Sequence, residues 1–219
     1  MDIDEFDEII QLLQNRTRRR ILELLSKEEN YPLAISRHLD TSQQSISKHL
    51  KRLEEKGFVI SEKCESELGG PPTKKYSLNK ELSLRIDLGP QLFHTGIEDL
   101  RDEEIEGYKE IEKKVKEGII EGGYLEGHRK IIKSIEKKIK KLEKERKYLL
   151  KLKEKALSEA YKFIHDNFED YEARKILYFV LETGISDPKK IAKHFNVRED
   201  EIENIIGDMK KNTNIGWKI

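Results

Sequence analysis

The stretch Thr41-Ser42-Gln43-Gln44-Ser45-Ile46-Ser47-Lys48-His49-Leu50-Lys51-Arg52-Leu53-Glu54-Glu55-Lys56-Gly57-Phe58-Val59-Ile60 decides the fold. Thr41 or Ser42 offers a side-chain oxygen to the first free amides of a helix. Ile46, Leu50 and Leu53 then recur at i, i+4 and i+7, one apolar stripe on a helix that stops at Gly57. Phe58-Val59-Ile60-Ser61 changes to a β-type run. Burying the stripe leaves Gln43, Gln44, Ser47, Lys48 and Lys51 on or near the outward side.

Working towards the N-terminus, Tyr31-Pro32-Leu33-Ala34-Ile35 puts Pro in a first turn and predicts a short helix ending at Asp40. A short helix, a tight turn and the helix from Gln43 make a helix-turn-helix. Ile9, Leu12 and Leu13, then Ile21, Leu22, Leu24 and Leu25, predict two further helices, with Asn15 or Thr17 able to cap the second. Working outward the other way, Lys75-Tyr76-Ser77-Leu78 follows the Gly69-Gly70-Pro71-Pro72 breaker and pairs with the first β run as a wing. The alternation Leu82, Leu84, Ile86, Leu88 either extends that sheet or leads out of the domain before Gly89-Pro90.

Beyond, residues 98–127 are charge-rich with scattered glycines and read as a connector. Ile135, Leu142, Leu149, Ala156 and Phe163 repeat every seventh residue, flanked by Ile132 and Ile139, and predict a long helix with a seam for a partner helix. Arg146 and Lys153 interrupt a strict coiled-coil core, and the companion stripe drifts as in a straight helix. Ile176, Leu177, Phe179, Val180 and Leu181, then Ser186-Asp187-Pro188 through Phe195, then Ile202, Ile205, Ile206 and Met209, repeat the rhythm of a helix-turn-helix. Asn214–Ile219 has room for a terminal strand. The predicted class is therefore mainly α with small β-wings. It comprises a winged helix-turn-helix over 1–90, a connector over 91–127, a long amphipathic dimerisation helix over 128–168, and a smaller C-terminal winged-helix-like domain over 169–219.

Composition bounds the partners. Lys plus Arg equals Asp plus Glu at 43 each, so the whole chain has no field to hold a polyanion and any such signal is local. From Gln14 to Ile60 ten Lys or Arg stand against six Asp or Glu, a local excess that suits phosphate. Gln occurs five times in the chain, yet two stand side by side at Gln43 and Gln44. Gln pairs bidentately with adenine in the major groove, Ser bonds donors or acceptors, and Lys reaches guanine or phosphate. Recognition helices make most base contacts from their N-terminal half. Arg16 and Arg18, in the cluster Arg16, Arg18, Arg19, Arg20, are phosphate candidates, although local acids compete for such side chains. Lys63, Thr73, Lys74 and Lys75 flank the turn of the wing.

The single cysteine, Cys64, excludes an internal disulfide and a Cys-x-x-Cys site. The six histidines are scattered without ligand spacing, so no metal and no cofactor is expected. An acidic Met1–Glu8 and the lack of any apolar run near 18 to 20 residues predict a cytoplasmic chain with no membrane partner. Abundant Lys, Glu and Ile with little Gln fit an ion-paired surface and a thermophilic source. No Gly-rich phosphate loop, nucleophile elbow or metal-ligand cluster appears, so the sequence does not read as an enzyme.

Asn15-Arg16-Thr17-Arg18-Arg19-Arg20-Ile21-Leu22-Glu23-Leu24-Leu25 followed by Ser45-Ile46-Ser47-Lys48-His49-Leu50-Lys51-Arg52-Leu53-Glu54-Glu55-Lys56-Gly57-Phe58-Val59 resembles the ArsR family of winged-helix repressors. Gly70-Pro71-Pro72-Thr73-Lys74-Lys75-Tyr76 and the appended helical region are similar to archaeal members, among them sulfur-responsive regulators. The resemblance implies a homodimer on palindromic double-stranded operator DNA. It places Ser42, Gln43, Gln44, Ser45, Ser47, Lys48 and His49 on the recognition segment, with His49 either a reading or a packing residue. The Cys-x-x-Cys of the sulfur-responsive relatives is missing, since Lys27-Glu28-Glu29-Asn30 stands in that loop. The resemblance therefore implies transcriptional regulation without a thiol switch. The competing reading is a winged-helix assembly module that binds protein and reads no DNA sequence. Acidic Glu199, Asp200, Glu201 and Glu203 in the second helix-turn-helix point to interaction rather than DNA reading there.

Overall fold

The computed structural model describes residues 3–64, 73–101, 105–117 and 123–212. The chain divides into two compact units, Met1–Asp87 with Phe93–Lys109, and Leu88–Leu92 with Glu110–Ile219. The architecture is mainly α with small β-hairpins.

The first unit begins with four helices, α1 (Ile3–Leu13), α2 (Arg16–Leu25), α3 (Pro32–Leu39) and α4 (Gln43–Glu55). Their starts follow local chemistry. The Asn15 side chain accepts from the Arg18 amide at 3.0 Å, and Ser42 accepts from the Ser45 amide at 3.2 Å, so of the two candidates at each start Asn15 and Ser42 are the caps. Pro32 opens α3, and Asp40 ends it with φ of 49°, a left-handed conformation that Asp adopts more readily than most residues. Gly57, at φ 70°, turns the chain out of α4. The stripes converge: Ile21, Ile35, Ile46, Leu50 and Leu53 have no exposed surface, and Leu12, Leu25, Phe58 and Tyr76 pack with them. Each such side chain contributes about 1.5–3 kcal/mol on burial, which is why four short helices hold together.

Strands β1 (Val59–Cys64) and β2 (Thr73–Leu78) pair antiparallel, with Val59 opposite Leu78 and Cys64 opposite Thr73. Asn30 joins them by a reciprocal pair of backbone bonds with Tyr76, both 2.9 Å, which ties the wing to the loop before α3. The Gly69–Pro72 turn lies outside the described residues. The third alternation does not extend this sheet: β3 (Leu82–Gly89) pairs with β4 (Leu92–Asp99) as a separate hairpin. Leu82, Leu84 and Ile97 pack against the first core. The expected connector over 91–127 thus contains a strand, and the first unit runs on to Lys109. The reason is that Leu92 to Asp99 has apolar residues only at intervals, and its β character is realised through a partner strand rather than locally.

In the second unit, α5 (Lys109–Glu117) precedes α6 (Tyr124–Asn167), a helix of 44 residues that starts four residues before the predicted His128. Three helices follow, α7 (Tyr171–Thr183), α8 (Pro188–Phe195) and α9 (Glu199–Asn212). Asp170 and Asp187 cap α7 and α8. Ile164 and Phe168 at the end of α6 join Ile176, Leu177, Val180, Ile191, Ile202, Ile206 and Met209 in a second core. The helix-turn-helix of this unit copies the first: α8, like α3, has eight residues, opens on Pro and ends on a left-handed residue, here Asn196 with φ of 56°. The expected terminal strand falls outside the described residues.

Candidate nucleic-acid interface

Helix α4 sorts its residues by side. Ile46, Leu50 and Leu53 face the core with no exposed surface, which forces Ser42, Gln43, Gln44, Ser47, Lys48 and Lys51 into solvent. Ser45 and His49 are half-buried at the margin. No large apolar side chain is exposed anywhere on α4. The Gln pair occupies the first two helical positions, where the backbone amides and the positive end of the helix dipole also point. The exposed side therefore offers amide, hydroxyl and ammonium groups on a rigid rod, a set that can read base edges and hold phosphate.

His49 lies at the margin of the polar side. Burial, and after it the nearby Arg18 guanidinium, hold its imidazole below the ordinary range, so the ring is neutral at neutral pH. Arg18 itself is committed elsewhere. Its guanidinium donates to the Leu12 and Gln11 carbonyls, and Arg19 donates to those of Leu13 at 2.6 Å and Gln14 at 2.8 Å. The two arginines thereby satisfy the orphan carbonyls at the end of α1. Arg18 is thus engaged in holding α1. The competitor is backbone carbonyl rather than a local acid. Arg16 remains exposed.

On the wing, Thr73, Lys74 and Lys63 are exposed and Lys75 is half-buried. Lys63 stands directly opposite Lys74 in the ladder. Like charges placed so repel, and an anion between them relieves that. Lys74 lies 3.6 Å from Glu54 of α4, and Lys75 lies 2.7 Å from Glu29. Both pairs are partly exposed and therefore screened by solvent, so a phosphate can displace them. Glu54 also accepts a hydrogen bond from the Ser61 hydroxyl at 2.5 Å, so one carboxylate links the end of α4 to both wing strands. Sequence reasoning missed Glu54 and Glu29: the position of Glu54 beside Leu53 shows that it lies near the core, but only the tertiary arrangement shows that it meets the wing.

The seam residues of α6 are largely uncovered within the chain. Ile132, Ile139, Leu142, Leu149 and Phe163 are 48–63% exposed, Ala156 is exposed, and Ile135 is half-buried. Among the described residues, no three His, Cys, Asp or Glu side chains converge as a metal-binding group, and no helix is long and apolar enough to cross a membrane.

The family model described as "Helix-turn-helix domain" matches residues 12–62, from the end of α1 into β1. No curated protein matches the chain. Among solved structures, it is similar to reduced HlyU from Vibrio cholerae, with 26% identity, 35% of this chain and 74% of that one covered, and a TM-score of 0.30. It is also similar to the adhesin competence repressor AdcR from Streptococcus pyogenes, at 22% identity, 30% and 46% coverage, and a TM-score of 0.27. A variant of Lactococcus lactis ZitR shows 17% identity, 66% and 73% coverage, and a TM-score of 0.26.

Proposed function

We propose that a helix-turn-helix domain extended by a wing makes this chain a sequence-specific, double-stranded DNA-binding transcription regulator of the ArsR type, acting in the cytoplasm as a homodimer. The carrying observation is the division of α4, a polar, exposed side of Ser42, Gln43, Gln44, Ser47, Lys48 and Lys51 over a fully buried apolar side. Protein-docking helices expose apolar anchors, and α4 exposes none, which weighs against the assembly-module reading.

In this proposal α4 enters the major groove with Gln43 and Gln44 leading. Lys48, Lys51, Arg16, Lys63, Thr73 and Lys74 meet phosphate or sugar around it. Lys75 joins them by exchanging Glu29 for phosphate. The seam of α6 joins two copies, so that the readers face half-sites one helical turn apart or a multiple of it. The half-exposed apolar residues along α6 support a second copy as the occupant, because both copies then cover the same surface.

The test is a genome-wide pull-down with the purified chain, followed by binding to the enriched site with Gln43→Ala, Gln44→Ala in parallel. A palindromic motif whose preference over random sequence drops by about 10–100-fold in the variant is expected, at about 1–3 kcal/mol per bidentate pair. No enriched motif, with weak binding unchanged by the variant, overturns the proposal.

A further inference from the structure

Helix α6 carries a second feature besides its seam. Lys130, Lys133, Lys137, Lys140, Lys144, Lys147 and Lys151 follow one another at alternating steps of three and four residues. That spacing keeps all seven on one side of the helix, in a row that drifts by about 20° per heptad as the apolar seam does. At 3.6 residues per turn the row lies about 150° round the helix from the seam. All seven are exposed. Among the described residues, Lys130 lies near Glu126, while Lys133, Lys137, Lys140, Lys144, Lys147 and Lys151 make no ion pair.

The acids of this stretch stand beside the row, Glu136 four residues before Lys140 and Glu143 four before Lys147. Glu136, Glu143 and Glu145 flank the seam, and Glu145 meets Lys141 at 3.7 Å. Lysines three or four apart on a helix repel, and a glutamate four residues before a lysine of the row occurs three times, at Glu126, Glu136 and Glu143, against seven lysines. In a chain with equal numbers of acids and bases, the row keeps an excess of positive charge that a polyanion would relieve. From Lys130 to Lys151 the row rises about 32 Å, close to the roughly 34 Å of one duplex turn. Lysine is a point charge on a flexible stem, suited to phosphate and unable to read a base bidentately as arginine does.

We propose that the lysine row of α6 is a second DNA-binding surface, sequence-independent, which takes the phosphate backbone of double-stranded DNA over about one turn. It rests on the DNA-binding reading above. A lipid surface fits less well: anionic headgroups would meet a helix at the flanks of its apolar side, and α6 places Glu136, Glu143 and Glu145 there.

The experiment uses the full chain and a Lys133→Gln, Lys137→Gln, Lys140→Gln, Lys144→Gln, Lys147→Gln variant, binding both the pulled-down site and a scrambled duplex of equal length across a salt series. Each lost phosphate contact lowers the slope of log affinity against log salt by about 0.9, so three to four lost contacts lower it by about 3. We expect both duplexes to be weakened alike, with the preference between them kept. Far-ultraviolet circular dichroism checks that the helix persists, and the corresponding Lys→Arg variant should restore the slope. An unchanged slope with site preference intact overturns the lysine row alone. Loss of slope from a wild type that shows no site preference leaves the row standing and removes the reading role of α4. Binding to phosphatidylglycerol vesicles that is lost in the variant, with the DNA slope unchanged, reassigns the row to a membrane surface and overturns the proposal.

Discussion

Shortening the seam of α6 is the sharpest test of how the chain assembles. Leu142 is 52% and Leu149 63% exposed in the single chain, so roughly half of each side chain is left for a partner to cover. Burying half a leucine contributes about 1 kcal/mol. Two positions in two copies give about 4 kcal/mol, a dissociation constant about a thousandfold weaker in a Leu142→Ala, Leu149→Ala variant. Neither residue belongs to a core within the chain, and alanine favours helix, so the fold of each copy should persist. A dilution series in the analytical ultracentrifuge measures the shift directly, and the DNA site should lose the cooperative occupation of its two halves over the same concentration range. A dissociation constant unchanged within about threefold, under 1 kcal/mol, refutes the seam.

Arg18→Met removes the guanidinium that closes the end of α1. Stability in urea should fall by about 1–2 kcal/mol, while the salt slope of DNA binding stays as in wild type; a lower slope with unchanged stability would return Arg18 to the phosphate contacts. The His49 imidazole is held below its ordinary range chiefly by burial and then by Arg18, so the unfolded chain takes up a proton there before the folded one does. The contribution is complete above the unfolded value of about 6.5 and is lost as pH falls through it towards the folded value. Unfolding stability should therefore drop between pH 7.5 and 5.5, and His49→Gln should flatten that drop; an equal drop in the variant assigns it to other groups.

The helical part of the first unit was legible because its signals are local. Asn15, Ser42, Pro32 and Gly57 punctuate the chain, and the stripe Ile46, Leu50, Leu53 has a period that only a helix turns to one side. The same stripe identified which side of α4 remains for a ligand, and the exposed Gln43, Gln44, Ser47, Lys48 and Lys51 follow from it. What sequence could not supply was tertiary. Arg18 is near the C-terminus of α1 only because α1 and α2 fold back on each other, and nothing in the run of arginines distinguishes it from exposed Arg16. Glu54 and Lys74 are far apart in the chain and meet through the wing. Strand β4 has weak alternation and pairs with β3 across a two-residue turn, so the region read as a connector hides a partner. The lysine row of α6 was present in the sequence, but a heptad search attends to apolar positions and passes over an equally regular row on the opposite side.

The two helix-turn-helix elements show why scaffold alone does not assign a reader. Helices α3 and α8 have the same length, the same opening proline and a left-handed residue in the same place. Each is followed by a helix after a three-residue turn, Asp40–Ser42 before α4 and Asn196–Arg198 before α9. The difference is charge at the helix start. Helix α4 begins on Gln43 and Gln44 with no acid in its first turn, whereas α9 begins on Glu199, Asp200 and Glu201. Arg198, the one cation at that start, is held by Glu201 at 2.9 Å. Three carboxylates at the positive end of a helix stabilise α9 itself, but they occupy the place where a reader would meet phosphate and would repel it. One architecture is thus used twice with opposite electrostatics, and on the proposed reading only the first copy can enter the groove. A Glu199→Gln, Asp200→Asn, Glu201→Gln chain would remove the repulsion without adding a donor set like that of α4, so it should gain sequence-independent affinity at most and leave the preferred site unchanged.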